Sequence, residues 1–289
     1  MTLLAVPNVS EGRDPAAVEA VGAAFASTGA RLLDVHRDPD HHRSVFTLTG
    51  EPGELAPALL AGAREAVSRI DLRAHEGVHP HVGALDVVPL VHLHARDRGA
   101  ACAEALVTGD ELARELALPV LLYGALAGGR TRAELRRGGV SELAARLDAG
   151  EVTPDFGPAQ AHPTAGAALL AARSPLVAFN LELAPPADVA QAGRIAAALR
   201  EGGPEGLPGV RAIGLELASR GVAQISFNVE DPEAVPLREL VAAVRRHARV
   251  AAGELVGLAP RAAFAGFPDD VPVPGFEPSR HLVENALGL

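Results

Sequence analysis

The sequence predicts an α+β fold of two subdomains, each with its elements in the order β-α-β-β-α-β. Three observations predict it. Short apolar runs typical of buried strands alternate with longer runs of helical periodicity. The same order of elements can be read twice along the chain, and 289 residues are enough for two small cores. This is the ferredoxin-like order, and we expect the two sheets to pack around a cleft between the subdomains.

In the first half, Gly- and Pro-rich loops separate the periodic runs. Pro15 follows Asp14, a typical helix start with Asp14 as the N-cap. The predicted elements are strands at 2–6, 31–35, 43–48, 85–93 and 119–124, and helices at 14–27, 52–68, 100–116 and 131–147.

The second half repeats the order with fewer elements. Ala218 to Gly221 is a hairpin turn with glycine at the strained position. The predicted elements are strands at 176–183, 210–217, 222–229 and 254–258, and helices at 186–200 and 236–248. We therefore expect subdomains of residues 1–174 and 175–289.

Composition excludes several classes of function. The net charge of −10 argues against sequence-independent binding to nucleic acid, which needs a basic surface. The chain contains no lysine, which excludes Schiff-base chemistry, pyridoxal phosphate enzymes and Walker-type phosphate loops. It has a single cysteine, no signal peptide and no apolar run long enough to cross a bilayer. We expect a cytoplasmic protein that binds neither membranes nor nucleic acid.

Eight of the eleven histidines lie between His36 and His94. His75, His79 and His81 fall in a Gly/Pro-punctuated segment that leads into an apolar strand, where a scaffold can hold catalytic groups. A neutral imidazole there suits general acid–base catalysis without a cofactor. Two alternatives stay open at this point. The histidines could be solvated loop residues, or they could bind a metal, although no helical His-Glu-x-x-His motif is present.

A second non-regular segment runs from Thr153 to Gly166, with two glycines and three prolines. It is either a linker between the subdomains or a loop whose backbone amides bind a flat heterocycle or a carboxylate.

The chain resembles the formiminotransferase domain family almost from end to end. The most specific part is His79-Pro80-x-x-Gly83-Ala84-Leu85-Asp86. The resemblance also includes residues 6–12, 32–35, 43–47, 75–86, 153–166, 178–180, 223–228 and 254–258. Three positions depart from the family pattern: His81 replaces an arginine, His42 an asparagine, and Ala165 a tryptophan found in some members.

The resemblance implies transfer of a formimino group from N-formimino-L-glutamate to tetrahydrofolate, within histidine degradation and one-carbon metabolism. His79 matches the family's general acid/base. We expect the substrate to contact Arg43, His36, His81 and Asp86. The family's folate contacts match Gly157, Pro158, Ala159, Gln160, Ala161, His162, Pro163, Thr164, Ala165 and Gly166.

The resemblance further implies two ferredoxin-like subdomains, tetrahydrofolate as co-substrate and no metal. We expect a homodimer that acts on small molecules. Because the match ends near Leu289, we expect a monofunctional enzyme without a cyclodeaminase domain. The alternatives are formyl transfer between 5-formyl-tetrahydrofolate and glutamate in the same site, a histidine-cluster metal-dependent hydrolase, and a non-catalytic binding module.

Overall fold

The computed structural model describes all 289 residues and divides into two compact units, Met1–Ser174 and Pro175–Leu289. The predicted α+β class is confirmed: the first unit contains a seven-stranded mixed sheet and the second a four-stranded antiparallel sheet. No helix is both long and apolar enough to cross a membrane.

The first unit follows the predicted elements and adds three. Asp14 caps the first helix by accepting hydrogen bonds from the amides of Ala16 and Ala17, as predicted. The strands are β1 (Leu3–Ala5), β2 (Asn8–Val9), β3 (Arg31–Asp38), β4 (Arg43–Gly50), β5 (Leu85–His92), β6 (Val120–Leu122) and β7 (Ala168–Arg173). The helices are α1 (Pro15–Phe25), α2 (Leu55–Arg69), α3 (Arg98–Leu116), α4 (Arg132–Arg136) and α5 (Gly139–Asp148).

The sheet of the first unit is larger than predicted. β1 and β2 form one interrupted strand between β4 and β5, and β3 pairs with the other edge of β4. Beyond this antiparallel part, β7 pairs with β5 and β6 pairs with β7, both in parallel. The expectation of a single β-α-β-β-α-β unit was therefore incomplete. The strand that it missed, β7, is buried along nearly its whole length.

One predicted helix is two. The single helix expected at 131–147 is interrupted at Gly138 and Gly139, which both have positive φ angles, 76° and 75°. Glycine adopts this conformation readily, and it is incompatible with a continuous right-handed helix. The break reorients the chain between α4 and α5. Both helices contribute buried leucines to a cluster on one face of the sheet that includes Leu121 and Tyr123.

The second unit has the predicted order of elements as far as its last strand, and two short helices follow that strand. β10 pairs with β8 and β9, β8 also pairs with β11, and Gly221 has a φ of 60° in the predicted hairpin. The last strand begins four residues earlier than predicted. The elements are β8 (Val177–Leu183), α6 (Val189–Leu199), β9 (Val210–Leu217), β10 (Val222–Val229), α7 (Leu237–Arg245), β11 (Val250–Val256), α8 (Pro278–His281) and α9 (Val283–Leu287).

Candidate active site

The histidine segment ends against the start of the chain. The amide of Ser10 donates to the carbonyl of Ala84 at 2.9 Å, and the Ser10 hydroxyl donates to the carbonyl of Gly83 at 2.7 Å. Directly after Ala84, β5 is buried at every position. The histidines therefore precede a rigid central strand, as the sequence predicted.

The two non-regular segments are hydrogen-bonded to one another. The amide of Ala84 donates to Ala165 at 2.9 Å, the amide of Ala167 to Val82 at 3.0 Å, and the amide of Leu72 to Thr164 at 2.8 Å. Because β7 follows within the same unit, residues 153–166 are not a linker between the units. Hydrogen bonds thus hold the segment of the candidate base against the candidate folate segment.

Two glycines permit this close approach. A Cβ atom at Gly83 would lie 2.1 Å from the carbonyl oxygen of Ala167. A Cβ atom at Gly166 would lie 2.1 Å from the carbonyl oxygen of Val82, and Gly166 also has a φ of 68°. No other residue fits either position without moving the backbone.

The Thr164–Gly166 end of the loop is closed by His162. Its backbone exchanges two hydrogen bonds with Gly166, both 2.9 Å long. Its Nδ1 accepts from the amides of Ala165 at 3.0 Å and Thr164 at 3.3 Å. Residues 157–160 are exposed, whereas Ala165 and Gly166 are buried. Residues 157–160 of the loop are therefore accessible to a ligand, and the other end of the loop is held in place by hydrogen bonds.

His79 is half-buried, and its tautomer follows from its contact. The Nδ1 atom lies 2.8 Å from the carbonyl oxygen of Pro80. A carbonyl oxygen can only accept, so Nδ1 carries the proton and Nε2 is left as the acceptor. A backbone carbonyl, rather than a carboxylate, therefore orients the imidazole.

A buried charge network lies beside His79. The Asp86 carboxylate is fully buried and accepts from Arg43 Nη1 at 2.6 Å, from the amide of Val82 at 2.8 Å and from Arg136 Nη2. Burial alone would raise the pKa of Asp86, but Arg136 and Arg43 hold that pKa below its usual range. Burial lowers the pKa of Arg43 to about 10, against the opposing effect of Asp86. Two guanidinium groups share one carboxylate, so the network carries net positive charge.

The charges of this network lower the pKa of the candidate base, His79. Burial, followed by the charges of Arg43 and Arg136, lowers the pKa of His79 well below 6.5, and Asp86 only partly opposes them. His79 is therefore neutral at pH 7 in the ligand-free protein and can accept a proton at Nε2.

The other histidines form a cluster. The ring of His75 is stacked on that of His42, with a centroid distance of 4.3 Å, and is tilted by 58° against that of His81 at 4.2 Å. Nδ1 of His42 accepts from the amide of Gly12 at 3.1 Å. The His41 ring lies 5.8 Å from that of His79, and its Nδ1 lies 3.6 Å from Asp38 Oδ2.

The structure brings together most of the predicted site residues. His79, Arg43 and Asp86 are linked by charge, and His81 lies 3.3 Å through its Nδ1 from the carbonyl oxygen of His79. His36 lies on β3, opposite Val45 in register. His92 is buried at the end of β5. Sequence reasoning missed Arg136, whose only local signal is its four-residue spacing from Arg132 on a short helix.

Comparison with known proteins gives matches along both units. A family described as "Formiminotransferase domain, N-terminal subdomain" matches residues 2–173, and one described as "Formiminotransferase domain" matches residues 178–267. A glutamate formimidoyltransferase of Streptococcus pyogenes serotype M1 is 32% identical, with 98% of this chain and 97% of the relative covered. One from Thermoplasma acidophilum is 33% identical, with 89% and 88% covered.

The rat formimidoyltransferase-cyclodeaminase is 38% identical over 98% of this chain and 56% of its own length. The chain thus spans little more than half of this longer relative.

Proposed function

Because this chain belongs to the formiminotransferase domain family, we propose that it transfers a formimino group from N-formimino-L-glutamate to tetrahydrofolate. The products are 5-formimino-tetrahydrofolate and glutamate, which places the enzyme in histidine degradation and one-carbon metabolism. The observation that carries the proposal is the contact of His79 with Pro80, which leaves Nε2 as a proton acceptor beside two arginines.

The mechanism uses His79 twice. N5 of tetrahydrofolate attacks the carbon of the protonated formimino group, a new C–N bond forms, and His79 Nε2 takes the proton from N5. The resulting imidazolium then gives that proton to the glutamate nitrogen as its bond to the formimino carbon breaks. The His79 side chain ends neutral, as it began. Acid–base help of this kind accelerates a reaction by about 10²- to 10⁴-fold.

Residues 157–166 are the proposed folate contacts. The amides of Leu72 and Ala84 donate to carbonyls of this loop, and the amide of Ala167, directly after the loop, donates to the histidine segment. These hydrogen bonds support a common site for the pterin and the base. Arg43, His36, His81 and Asp86 remain the proposed contacts of formimino-glutamate.

We also propose the finer fold: the strand order β11-β8-β10-β9 supports a ferredoxin-like second unit, and β3-β4-β1/β2-β5 supports one within the first. A cytoplasmic homodimer remains part of the proposal, and light scattering of the purified protein tests the dimer.

The direct test compares two donors. Purified enzyme is incubated with tetrahydrofolate and either N-formimino-L-glutamate or N-formyl-L-glutamate, and the folate product is identified by its absorbance spectrum and mass. We expect faster transfer from the formimino donor. Preferred transfer from the formyl donor would instead support the one-carbon alternative in the same site.

A metal-dependent hydrolase makes a different prediction. It requires stoichiometric metal in the purified protein and loses activity with a chelator. We expect less than a tenth of an equivalent of zinc by elemental analysis, on the order of adventitious binding, and full transfer activity in the presence of a chelator. One equivalent of zinc together with chelator sensitivity would contradict the proposed mechanism.

A further inference from the structure

α4 presents two arginines to the buried side of the first unit. Arg132 and Arg136 are four residues apart, so both side chains lie on the same side of this short helix. The guanidinium carbon of Arg132 lies 5.7 Å from the centroid of the Tyr123 ring. Arg136 reaches Asp86 instead. The helix therefore connects the charge network beside His79 with Tyr123.

Two buried donors, one on α4 and one on the tyrosine that Arg132 contacts, have no hydrogen-bond partner. They are Nε of Arg136 and the hydroxyl of Tyr123, and the tyrosine is only 7% exposed. An unpaired buried donor is unfavourable, so most such groups are satisfied in folded proteins. Both of these groups would be satisfied by an anion that enters from outside.

The helix itself is firmly held. Leu135 is 1% exposed, and Arg146 Nη1 donates to the carbonyls of Glu134 at 3.1 Å and Leu135 at 3.3 Å. At the other end, the side chains and backbone amides of Thr131 and Glu134 form a capping box. The two arginines therefore project from a helix that is already held in place, which lowers the entropy cost of binding a ligand.

Resting on the proposed function, we propose that Arg136, Arg132 and Tyr123 bind the two carboxylates of the glutamate part of the substrate. Two cations about one helical turn apart match a dicarboxylate better than a single carboxylate. Arg43 is already engaged by Asp86 and by Asn8, whereas Arg136 keeps a free donor. The site thus selects glutamate over amino acids that carry one carboxylate.

Binding there would also change the base. Arg136 is one of the charges that lower the pKa of His79. A carboxylate on Arg136 offsets that charge, so the pKa of His79 rises when the glutamate part binds. The base then becomes stronger only in the complex, where its proton transfer is needed.

The test uses two conservative variants and a neighbouring control. Tyr123→Phe removes only the unpaired hydroxyl, and Arg136→Lys keeps a cation beside Asp86 but loses the planar donor set. Arg137→Gln alters an exposed arginine next to the site. For each variant, we would measure the KM of both substrates, the affinity for L-glutamate and L-glutamine by calorimetry, and the melting temperature.

We expect Tyr123→Phe to raise the KM for formimino-glutamate about 3- to 10-fold, the usual range for one hydrogen bond, without lowering the melting temperature. Arg136→Lys should raise this KM at least about tenfold and reduce the preference for glutamate over glutamine. Neither should change the KM for tetrahydrofolate more than about twofold, and Arg137→Gln should match the wild type. In the wild type, glutamate should raise the pKa of His79, measured by NMR of the imidazole.

Wild-type KM values in both variants, or a lower melting temperature for Tyr123→Phe with unchanged KM, would overturn the dicarboxylate site while leaving the formimino transfer intact. Glutamate affinity that falls in both variants, in a protein with no transfer to tetrahydrofolate, would instead contradict the proposed function and support the site.

Discussion

The Nδ1 atom of His79 faces the carbonyl oxygen of Pro80 at 2.8 Å, a contact between chain neighbours. The residue that holds the tautomer is therefore adjacent in sequence to the proposed base. Since the proline ring fixes φ, one of the two torsions of Pro80 that position this carbonyl is locked. No distant carboxylate is needed to orient the imidazole.

His79→Ala should leave the protein folded and lower kcat/KM for formimino transfer by at least about a hundredfold, the usual scale for removing an acid–base group. Circular dichroism and melting temperature check the fold, and steady-state kinetics check the activity. His94→Ala, which alters an exposed histidine, is the matched control. Near-normal turnover in folded His79→Ala would exclude His79 as the base.

His162→Ala should raise the KM for tetrahydrofolate about tenfold, because the amides of Thr164 and Ala165 lose their shared acceptor and the loop loosens. The KM for formimino-glutamate should change much less. His162→Asn restores a side-chain acceptor at a similar position, so it should recover part of the folate affinity. Equal increases in both KM values would indicate a general structural effect rather than a folate loop.

Arg43→Ala should lower the free energy of unfolding by about 3–5 kcal/mol, because it leaves the buried Asp86 charge with one guanidinium fewer. Urea denaturation measures this. The control is Arg69→Ala, which removes a surface ion pair with Glu65 and should lower the free energy of unfolding by less than about 1 kcal/mol. In a folded Arg43→Ala, we expect the KM for formimino-glutamate to rise more than that for tetrahydrofolate. Similar small losses of stability in both variants would show that the Asp86 network is not structural.

Gly83→Ala should destabilise the protein by about 1–3 kcal/mol, since the added Cβ atom meets the Ala167 carbonyl at 2.1 Å and the backbone must shift. Gly99→Ala in α3, where nothing lies within 4 Å of the added atom, should be neutral or stabilising. We further expect Gly83→Ala to weaken folate binding and catalysis together. Unchanged kinetics in a destabilised Gly83→Ala would mean that the two segments function independently.

Acid should destabilise the histidine cluster around His75. Burial lowers the pKa of His75 to about 4 in the folded protein, from 6.5. The unfolded state therefore binds more protons between pH 6.5 and 4, so the free energy of unfolding falls as the pH drops through this range. His42, whose pKa burial also lowers, adds in the same direction, while Glu11 opposes it and Arg13 reinforces it.

Denaturation curves at pH 7.5, 6.5 and 5.5 measure this slope before most carboxylates titrate. His75→Gln cannot charge and should show a shallower slope. Equal slopes in the variant and the wild type would remove His75 as the source of the pH dependence.

Local patterns were sufficient for most elements of the fold. The N-cap of α1, the hairpin at Gly221 and the apolar β5 all follow from signals a few residues long. β7 was missed because Ala-Leu-Leu-Ala-Ala is composed of good helix formers, and a strand buried on both faces lacks the alternation that identifies exposed sheets. Only its pairing with β5 and β6 reveals it as a strand.

The candidate site residues could likewise be proposed from the sequence, but the contacts between them could not. His79 and the 157–166 segment were proposed as site residues from the family resemblance, whereas the hydrogen bond from Ala84 to Ala165 connects residues far apart in the chain. Arg136 joins Asp86 across a separation of 50 residues, and no local pattern encodes that pair. Burial, which sets the pKa of His79, likewise depends on the assembled fold.

The ladder that joins Val82, Gly83 and Ala84 to Ala165, Gly166 and Ala167 limits how this enzyme could diversify. An insertion or deletion within either of the paired stretches would shift the histidine segment relative to the proposed folate loop. The proposed base would then be displaced from the folate. A change of length in these stretches is therefore unfavourable for a change of specificity. Substitutions of side chains that leave the backbone length unchanged do not disturb this pairing, except at Gly83 and Gly166, where an added Cβ atom meets a carbonyl oxygen.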